Sequence, residues 1–135
     1  QGHIVIANSG SPLELVKEMS EKYHMDDYRG TIYKLDENGK YNGEVVPMWD
    51  SDSKQKAINE LVEKHDIDLS KSYAYGDTSG DYTMFKSVGC PFAINPTKEL
   101  LGKIKNDESL KAKINLIVER KDVTYKLDMN SIEII

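Results

Sequence analysis

Short apolar runs alternate with amphipathic stretches along most of the chain, a pattern that is typical of α/β proteins. The first run, residues 4–8, is continuously apolar, as expected for a strand that is covered on both faces of a parallel sheet. Ser11 is a suitable N-cap for the next helix, Pro12 suits its first position, and Glu14 completes a capping box. We predict that this helix ends near Tyr23. Its inward-facing side chains are predicted to be Leu13, Val16 and Met19.

Residues 30–47 interrupt this pattern. Two alternating segments, residues 31–35 and 41–46, flank Asn38 and Gly39. Asn-Gly is a strong hairpin signal because both central residues of a type I′ turn need a positive φ. The sequence therefore predicts an antiparallel β-hairpin inserted into the α/β fold.

The next amphipathic stretch predicts a helix that ends near His65. Its apolar face consists of Ala57, Ile58, Leu61 and Val62. Asp52 or Ser53 is the predicted N-cap, which puts Lys54 in the first turn, where its charge opposes the helix dipole. A bound phosphate or carboxylate would explain a lysine in that place. The alternative is a lysine that is simply solvated.

The alternation of strands and helices resumes after residue 70. We predict a strand that ends at Gly76, a helix over residues 82–88, a strand over residues 91–94 and a helix after Thr97. A parallel sheet is the natural way to join such elements, because each helix can connect two neighbouring strands.

The C-terminal part of the chain is predicted to hold a polar helix over residues 107–119, with a strand or hairpin formed by residues 123–127 and 132–135. The fold class is then α/β, with a Rossmann-like parallel sheet and flanking helices. Residues 1–106 form the core in this interpretation, and residues 107–135 are a helix and strand extension of the same domain.

Composition narrows the possible partners. The chain has 135 residues, which suit one domain, and its 18 basic and 23 acidic residues are interspersed, with a net charge of −5. This balance argues against nucleic acid or a membrane surface as a partner bound by charge alone. Cys90 is the single cysteine and cannot form an internal disulfide. No stretch approaches the roughly 20 apolar residues of a membrane span, and no signal-peptide pattern is present, so we expect a cytoplasmic protein.

Two aspartates mark a candidate site. Asp77 directly follows the strand that ends in Gly76, and Asp81 comes four residues later, where a helix begins. The carboxyl ends of parallel strands are where open α/β sheets bind ligands, and paired carboxylates suit Mg²⁺. The alternative is a structural turn in which Asp77 or Ser79 caps the next helix.

Four side chains together supply the parts that phosphoryl transfer needs: a hydroxyl, a cation and two carboxylates. They are Ser9, Lys54, Asp77 and Asp81. Their order closely resembles the haloacid dehalogenase superfamily, and within it the phosphoserine-phosphatase-like branch. The segments that carry the resemblance are residues 4–12 for the second motif, Lys54 with residues 57–61 for the third, and residues 74–81 with 88–89 and 95–96 for the fourth.

The resemblance implies a role for each residue. Asp77 would be a Mg²⁺ ligand, and Asp81 would support the metal shell or position Lys54. Ser9 and Gly10 would bind phosphoryl oxygens, and Lys54 would stabilise the phosphate and the nucleophile. The substrate would be a small phosphomonoester.

The family's nucleophile is the first aspartate of a D-x-D motif that lies upstream of the second motif, often followed by a helical cap domain. No such motif precedes Ser9 in this chain. Asp50 and Asp52 have the spacing, but they follow a poor strand and lie between the second and third motifs, so we interpret them as loop and N-cap. The resemblance therefore implies a fragment of a Mg²⁺-dependent phosphatase that lacks its nucleophile and is inactive by itself. A non-catalytic phosphate- or metal-binding module and a phosphotransferase are the alternatives.

Overall fold

The computed structural model of the chain describes residues 2–135, which divide after Ala57 into two compact units. The N-terminal unit contains β1 (Ile6–Pro12), α1 (Leu13–Lys22), β2 (Asp27–Leu35) and β3 (Tyr41–Val46). Helix α2 (Ser51–His65) begins in this unit and ends in the C-terminal unit. The other elements of the C-terminal unit are β4 (Tyr73–Gly76), α3 (Tyr82–Ser87), β5 (Cys90–Ile94), α4 (Lys98–Lys105), α5 (Glu108–Lys111), β6 (Asn115–Glu119) and β7 (Thr124–Leu127).

The sheet of the N-terminal unit has the order β1-β2-β3. Strands β1 and β2 run parallel, with Asn8 opposite Arg29, and the register shifts between Asn8 and Pro12. Strands β2 and β3 are antiparallel, which confirms the predicted hairpin. The turn is not type I′, because Gly39 has a positive φ and Asn38 does not. Asp36 instead closes a longer loop by accepting the N–H groups of Asn38 and Lys40.

The start of α1 differs from the prediction. Strand β1 continues through Ser11, and α1 begins at Leu13 with Pro12 as N-cap and no side-chain hydrogen bond. The capping-box prediction was wrong, because the N–H of Ser11 is itself bonded to the Ser9 hydroxyl oxygen at 3.2 Å. Of the predicted inward-facing residues, Val16 is buried whereas Met19 is exposed.

Helix α2 confirms the predicted helix and its end at His65. Ala57, Ile58 and Leu61 are buried as expected. The N-cap is Asp50 rather than Asp52 or Ser53: its carboxylate accepts the N–H of Ser53 at 2.8 Å. This bond lowers the pKa of Asp50 and shows that the predicted N-cap was wrong, since the cap lies at the first aspartate of the D-x-D spacing.

The sheet of the C-terminal unit has the order β4-β5-β6-β7, with the first three strands parallel and β7 antiparallel. The α/β fold class is confirmed. Ala93 and Leu116, which lie opposite each other on β5 and β6, belong to the apolar core of this unit. The largest fully buried side chains in that core are Phe85, Leu100, Ile104, Leu110 and Leu116.

The polar helix predicted over residues 107–119 was wrong. Only Glu108–Lys111 are helical, and Asn115–Glu119 form strand β6 beside β5. The β-branched residues Ile117 and Val118 suit a strand, and pairing with β5 outweighs the helical signal of the charged residues before them. Residues 132–135 form no strand. The C-terminal segment thus contributes a parallel strand to the sheet.

Asp107 connects α3 to α5. Its carboxylate accepts hydrogen bonds from the Tyr82 hydroxyl, from the Lys86 ammonium at 2.9 Å and from the N–H of Leu110 at 3.1 Å. These hydrogen bonds, of which the one from Tyr82 has the largest effect, hold the pKa of Asp107 well below its usual range. The hydrogen bonds to Asp107 in turn raise the pKa of Tyr82 and of Lys86.

Among the described residues, every helix is too short or too polar to cross a bilayer.

Replacing Gly89 by alanine should destabilise the protein strongly. A Cβ at Gly89 would lie 1.9 Å from the carbonyl oxygen of Ser70, so the backbone must move. Gly102→Ala is the matched control: α4 has open space there, and alanine should stabilise a helix interior by up to about 1 kcal/mol. Urea unfolding followed by circular dichroism measures both, and equal stabilities of the two variants would contradict the packing.

Asp107→Asn should reduce stability at pH 7, and the loss should shrink in acid. A carboxyl group with a lowered folded-state pKa stabilises the fold above its unfolded-state pKa of about 3.9, and this contribution disappears as the pH falls through the folded-state value. The difference in stability between the two proteins should therefore begin to shrink below about pH 4 and continue to shrink as the pH falls further. Asp122→Asn, at an exposed carboxylate outside this cluster, should show no such convergence in thermal unfolding between pH 3 and pH 7.

Candidate functional site

The turn that follows β4 is built around the Asp81 carboxylate. Its Oδ2 accepts the N–H of Asp77 at 3.1 Å, the N–H of Thr78 at 3.2 Å and the Thr78 hydroxyl at 3.4 Å. Asp81 is 3% exposed, so these donors replace the water that a carboxylate would otherwise bind. Thr78 and Asp81 form a capping box, which corrects the alternative in which Asp77 or Ser79 is the cap.

Gly76 allows this arrangement. A Cβ on residue 76 would lie 2.5 Å from both Cγ and Oδ2 of Asp81, closer than any side chain permits. The carboxylate therefore folds back over the last residue of β4. A glycine at position 76 thus has a steric reason, which is separate from any chemical role of the aspartate that follows it.

Asp77, the other aspartate of the turn, has a fixed backbone and an exposed side chain. Its backbone is fixed, because its N–H donates to Asp81 and its carbonyl accepts the N–H of Thr97 at 2.9 Å. Its side chain is exposed, and its carboxylate makes no hydrogen bond or ion pair with any residue of the described range 2–135. The turn thus holds a carboxylate in a fixed place that is open to a ligand.

The donor set fits part of a Mg²⁺ site. Magnesium is commonly bound by one or two carboxylates together with water and substrate phosphate, so Asp77 suits one coordination position. Within residues 2–135 there is no cluster of three or more His, Cys, Asp or Glu residues that could hold a metal.

The N-terminal unit holds the other predicted residues, Ser9, Gly10 and Lys54. Ser9 and Gly10 lie in β1 just after its regular pairing with β2 ends at Asn8. The Ser9 hydroxyl oxygen accepts a bond from the Ser11 N–H, which leaves its own proton available for donation. The Gly10 carbonyl accepts a bond from the hydroxyl of Thr31 at 2.8 Å. Residues 9–11 are therefore held by two hydrogen bonds, one at the Ser11 N–H and one at the Gly10 carbonyl.

Lys54 is the fourth residue of α2 and is only 6% exposed. The alternative of a solvated lysine is therefore wrong. Burying an ammonium group is costly unless a negative or polar group compensates for the lost water. Lys54 is therefore part of the packed structure at the start of α2, where its backbone N–H is bonded to the carbonyl of Asp50.

Sequence reasoning missed two residues near Ser9 and Gly10. Both polar side-chain atoms of Asn8 are buried and, in the range that the structure describes, have no hydrogen-bond partner. The feature of the sequence that could have identified Asn8 is a polar amide in an otherwise apolar strand. Trp49 lies against Gly10, and a Cβ on that glycine would be 3.0 Å from the Cβ of Trp49. Its signal was that it is the single tryptophan of the chain.

Comparison with known proteins places these features in a family. A sequence model described as haloacid dehalogenase-like hydrolase matches residues 3–115. A protein of Streptomyces azureus, named as an inhibition of morphological differentiation protein, is 35% identical over 99 residues, which are 73% of this chain and 36% of that protein. A probable phosphatase of Mycobacterium tuberculosis is 38% identical over 64 residues, or 47% of this chain and 22% of that protein.

Solved structures show a similar fold. A phosphoserine phosphatase in apo form is 25% identical and has a TM-score of 0.65, over 76% of this chain and 51% of that one. Another, solved as a phospho-aspartyl intermediate analogue, is 24% identical with a TM-score of 0.65, over 90% of this chain and 53% of that one. The chain thus spans about half the length of these phosphatases and little more than a third of the Streptomyces relative.

Asp81→Asn should reduce stability much more than Asp77→Asn. Asparagine at 81 keeps the shape but loses the charge and one acceptor oxygen, so the turn should lose about 1–3 kcal/mol. Asparagine at 77 should change the free energy of unfolding by less than about 0.5 kcal/mol, because the carboxylate is exposed. Urea unfolding at pH 7 compares them. A larger loss for Asp77→Asn than for Asp81→Asn would contradict the assignment of Asp81 as the residue that holds the turn.

Proposed function

The chain belongs to the haloacid dehalogenase-like hydrolases, and from this premise we propose that its parent protein is a Mg²⁺-dependent phosphatase. The observation that carries the proposal is the turn after β4, where the buried Asp81 fixes the backbone and leaves the Asp77 carboxylate exposed. A relative described as a probable phosphatase and the phosphoserine phosphatases of similar fold support it. The substrate is a small phosphomonoester.

Each residue has a proposed role. Asp77 binds Mg²⁺, which when bound offsets negative charge on the phosphoryl oxygens. Asp81 acts through Asp77, because it holds the turn on which Asp77 lies. Ser9 and Gly10 bind phosphoryl oxygens, and the Lys54 ammonium balances their charge.

The nucleophile lies outside residues 1–135 in this proposal. An aspartate carboxylate attacks phosphorus, the bond from phosphorus to the ester oxygen breaks, and the alcohol leaves with a proton from an acid. Water then hydrolyses the aspartyl phosphate. The D-x-D spacing occurs at Asp50–Asp52 and at Asp66–Asp68. In both pairs one carboxylate is used in a turn, because Asp50 accepts the N–H of Ser53 and Asp68 accepts the N–H of Ser70, so neither pair is the nucleophile in this proposal. The isolated chain should therefore be inactive, since covalent catalysis needs its attacking group.

The natural full-length protein should hydrolyse p-nitrophenyl phosphate only with Mg²⁺. The first measurement is its intact mass with its N-terminal peptide, which should reveal a preceding strand that ends in D-x-D. Phosphate release should stop after chelation with EDTA and return when Mg²⁺ is added, and residues 1–135 alone should release none. Hydrolysis that persists in EDTA, or a natural protein without such an aspartate, would overturn the proposal.

Matched variants in the full-length protein test the roles. Lys54→Met should lower kcat/KM by about 10²-fold or more, because a buried charge opposite the phosphoryl group is lost. Lys56→Met, at an exposed lysine two residues away, should change it by less than about twofold. Asp77→Asn against Asp52→Asn gives the same contrast for the metal ligand. Addition of acceptor alcohols distinguishes a hydrolase from a phosphotransferase by whether a new phosphate ester forms.

A further inference from the structure

Trp49 occupies a position next to the segment for which phosphoryl binding is proposed. It lies between β3 and α2, and 50% of its surface is exposed. The Cα of Trp49 would lie 3.4 Å from a Cβ on Gly10, and its Cβ 3.0 Å, so the two backbones are in close contact. A half-exposed aromatic residue therefore lies directly against Gly10.

The backbone on both sides of Trp49 is anchored. The fully buried Thr31 hydroxyl donates to the Gly10 carbonyl and accepts the N–H of Met48 at 3.2 Å, so it joins Met48 to β1. On the other side, Asp50 caps α2 through the Ser53 N–H. Binding of a ligand over the indole would cost little conformational entropy in this segment, because its backbone is already fixed.

The residues that precede and follow Trp49 in the chain favour an uncharged, apolar ligand. Val46 and Ile32 are register partners at the base of the hairpin, and both are more than a third exposed. Asp50 and Asp52 follow Trp49 in the chain and disfavour a second anionic group near it. An exposed indole gains most when another apolar or aromatic surface covers it.

We propose that Trp49 contacts the alcohol part of the substrate and selects phosphomonoesters whose leaving group is uncharged and carries an apolar or aromatic group. This inference rests on the proposed function, since it names the substrate class of that same site. Trp49 is a specificity-determining residue here and takes no part in the bond-breaking step.

Benzyl phosphate and methyl phosphate form a matched substrate pair, because both release a primary alcohol and differ only in the ring. The full-length protein should have a higher kcat/KM for benzyl phosphate. Trp49→Ala should lower that value about tenfold, mainly by raising KM, and change the value for methyl phosphate by less than about twofold. Trp49→Phe should keep most of the preference, because it retains an aromatic face.

Tyr41→Ala is the control, since Tyr41 is an exposed aromatic residue on the same hairpin, and both values should be unchanged. An equal loss on the two esters in Trp49→Ala, or no loss on either, would overturn the role of Trp49 and leave the phosphatase proposal intact. Failure of the unaltered protein to hydrolyse either ester, or p-nitrophenyl phosphate, with Mg²⁺ would overturn both.

Discussion

The hydrogen bonds that the Asp81 carboxylate accepts are the constraint on which the candidate site depends. A buried carboxylate is tolerable only where donors replace water, and the N–H groups of Asp77 and Thr78 do so. The same bonds fix the backbone of Asp77 while its own carboxylate stays exposed. One aspartate therefore holds the turn and the other keeps an exposed carboxylate, although the two are equal in chemistry and only four residues apart.

In the N-terminal unit, a buried hydroxyl group fixes the backbone near the candidate phosphate-binding residues. Its β1–β2 pairing is regular up to Asn8 and then shifts, which frees residues 9–11 from the sheet register. A single buried hydroxyl, that of Thr31, then holds the Gly10 carbonyl and the Met48 N–H together. Hydrogen bonds to a threonine side chain here replace the backbone hydrogen bonds of regular strand pairing, so the segment proposed to bind phosphate can depart from the strand and still be held in place.

Sequence patterns predicted the features that depend on near neighbours. The hairpin after Thr31, helix α2 and the Gly76–Asp77 turn each follow from residues within a few positions of one another. The errors differ in origin, since one comes from a competing local contact and the other from a longer-range one. Ser11 was a good N-cap by local rules, but its N–H bonds Ser9 within β1. Residues 115–119 followed a charged helical stretch, yet pairing with β5 makes them a strand.

The sequence by itself determined the order of elements up to α4, the family resemblance and the residue types at the site, because periodicity, turn chemistry and motif spacing depend on residues that are close together in the chain. Only the tertiary structure decided which groups are buried and which are open. Asp81 is enclosed and Asp77 exposed, Lys54 is buried, and Trp49 lies against Gly10. Burial and hydrogen-bond partners depend on residues distant in sequence, and they determine which side chains hold the fold and which remain available to a ligand.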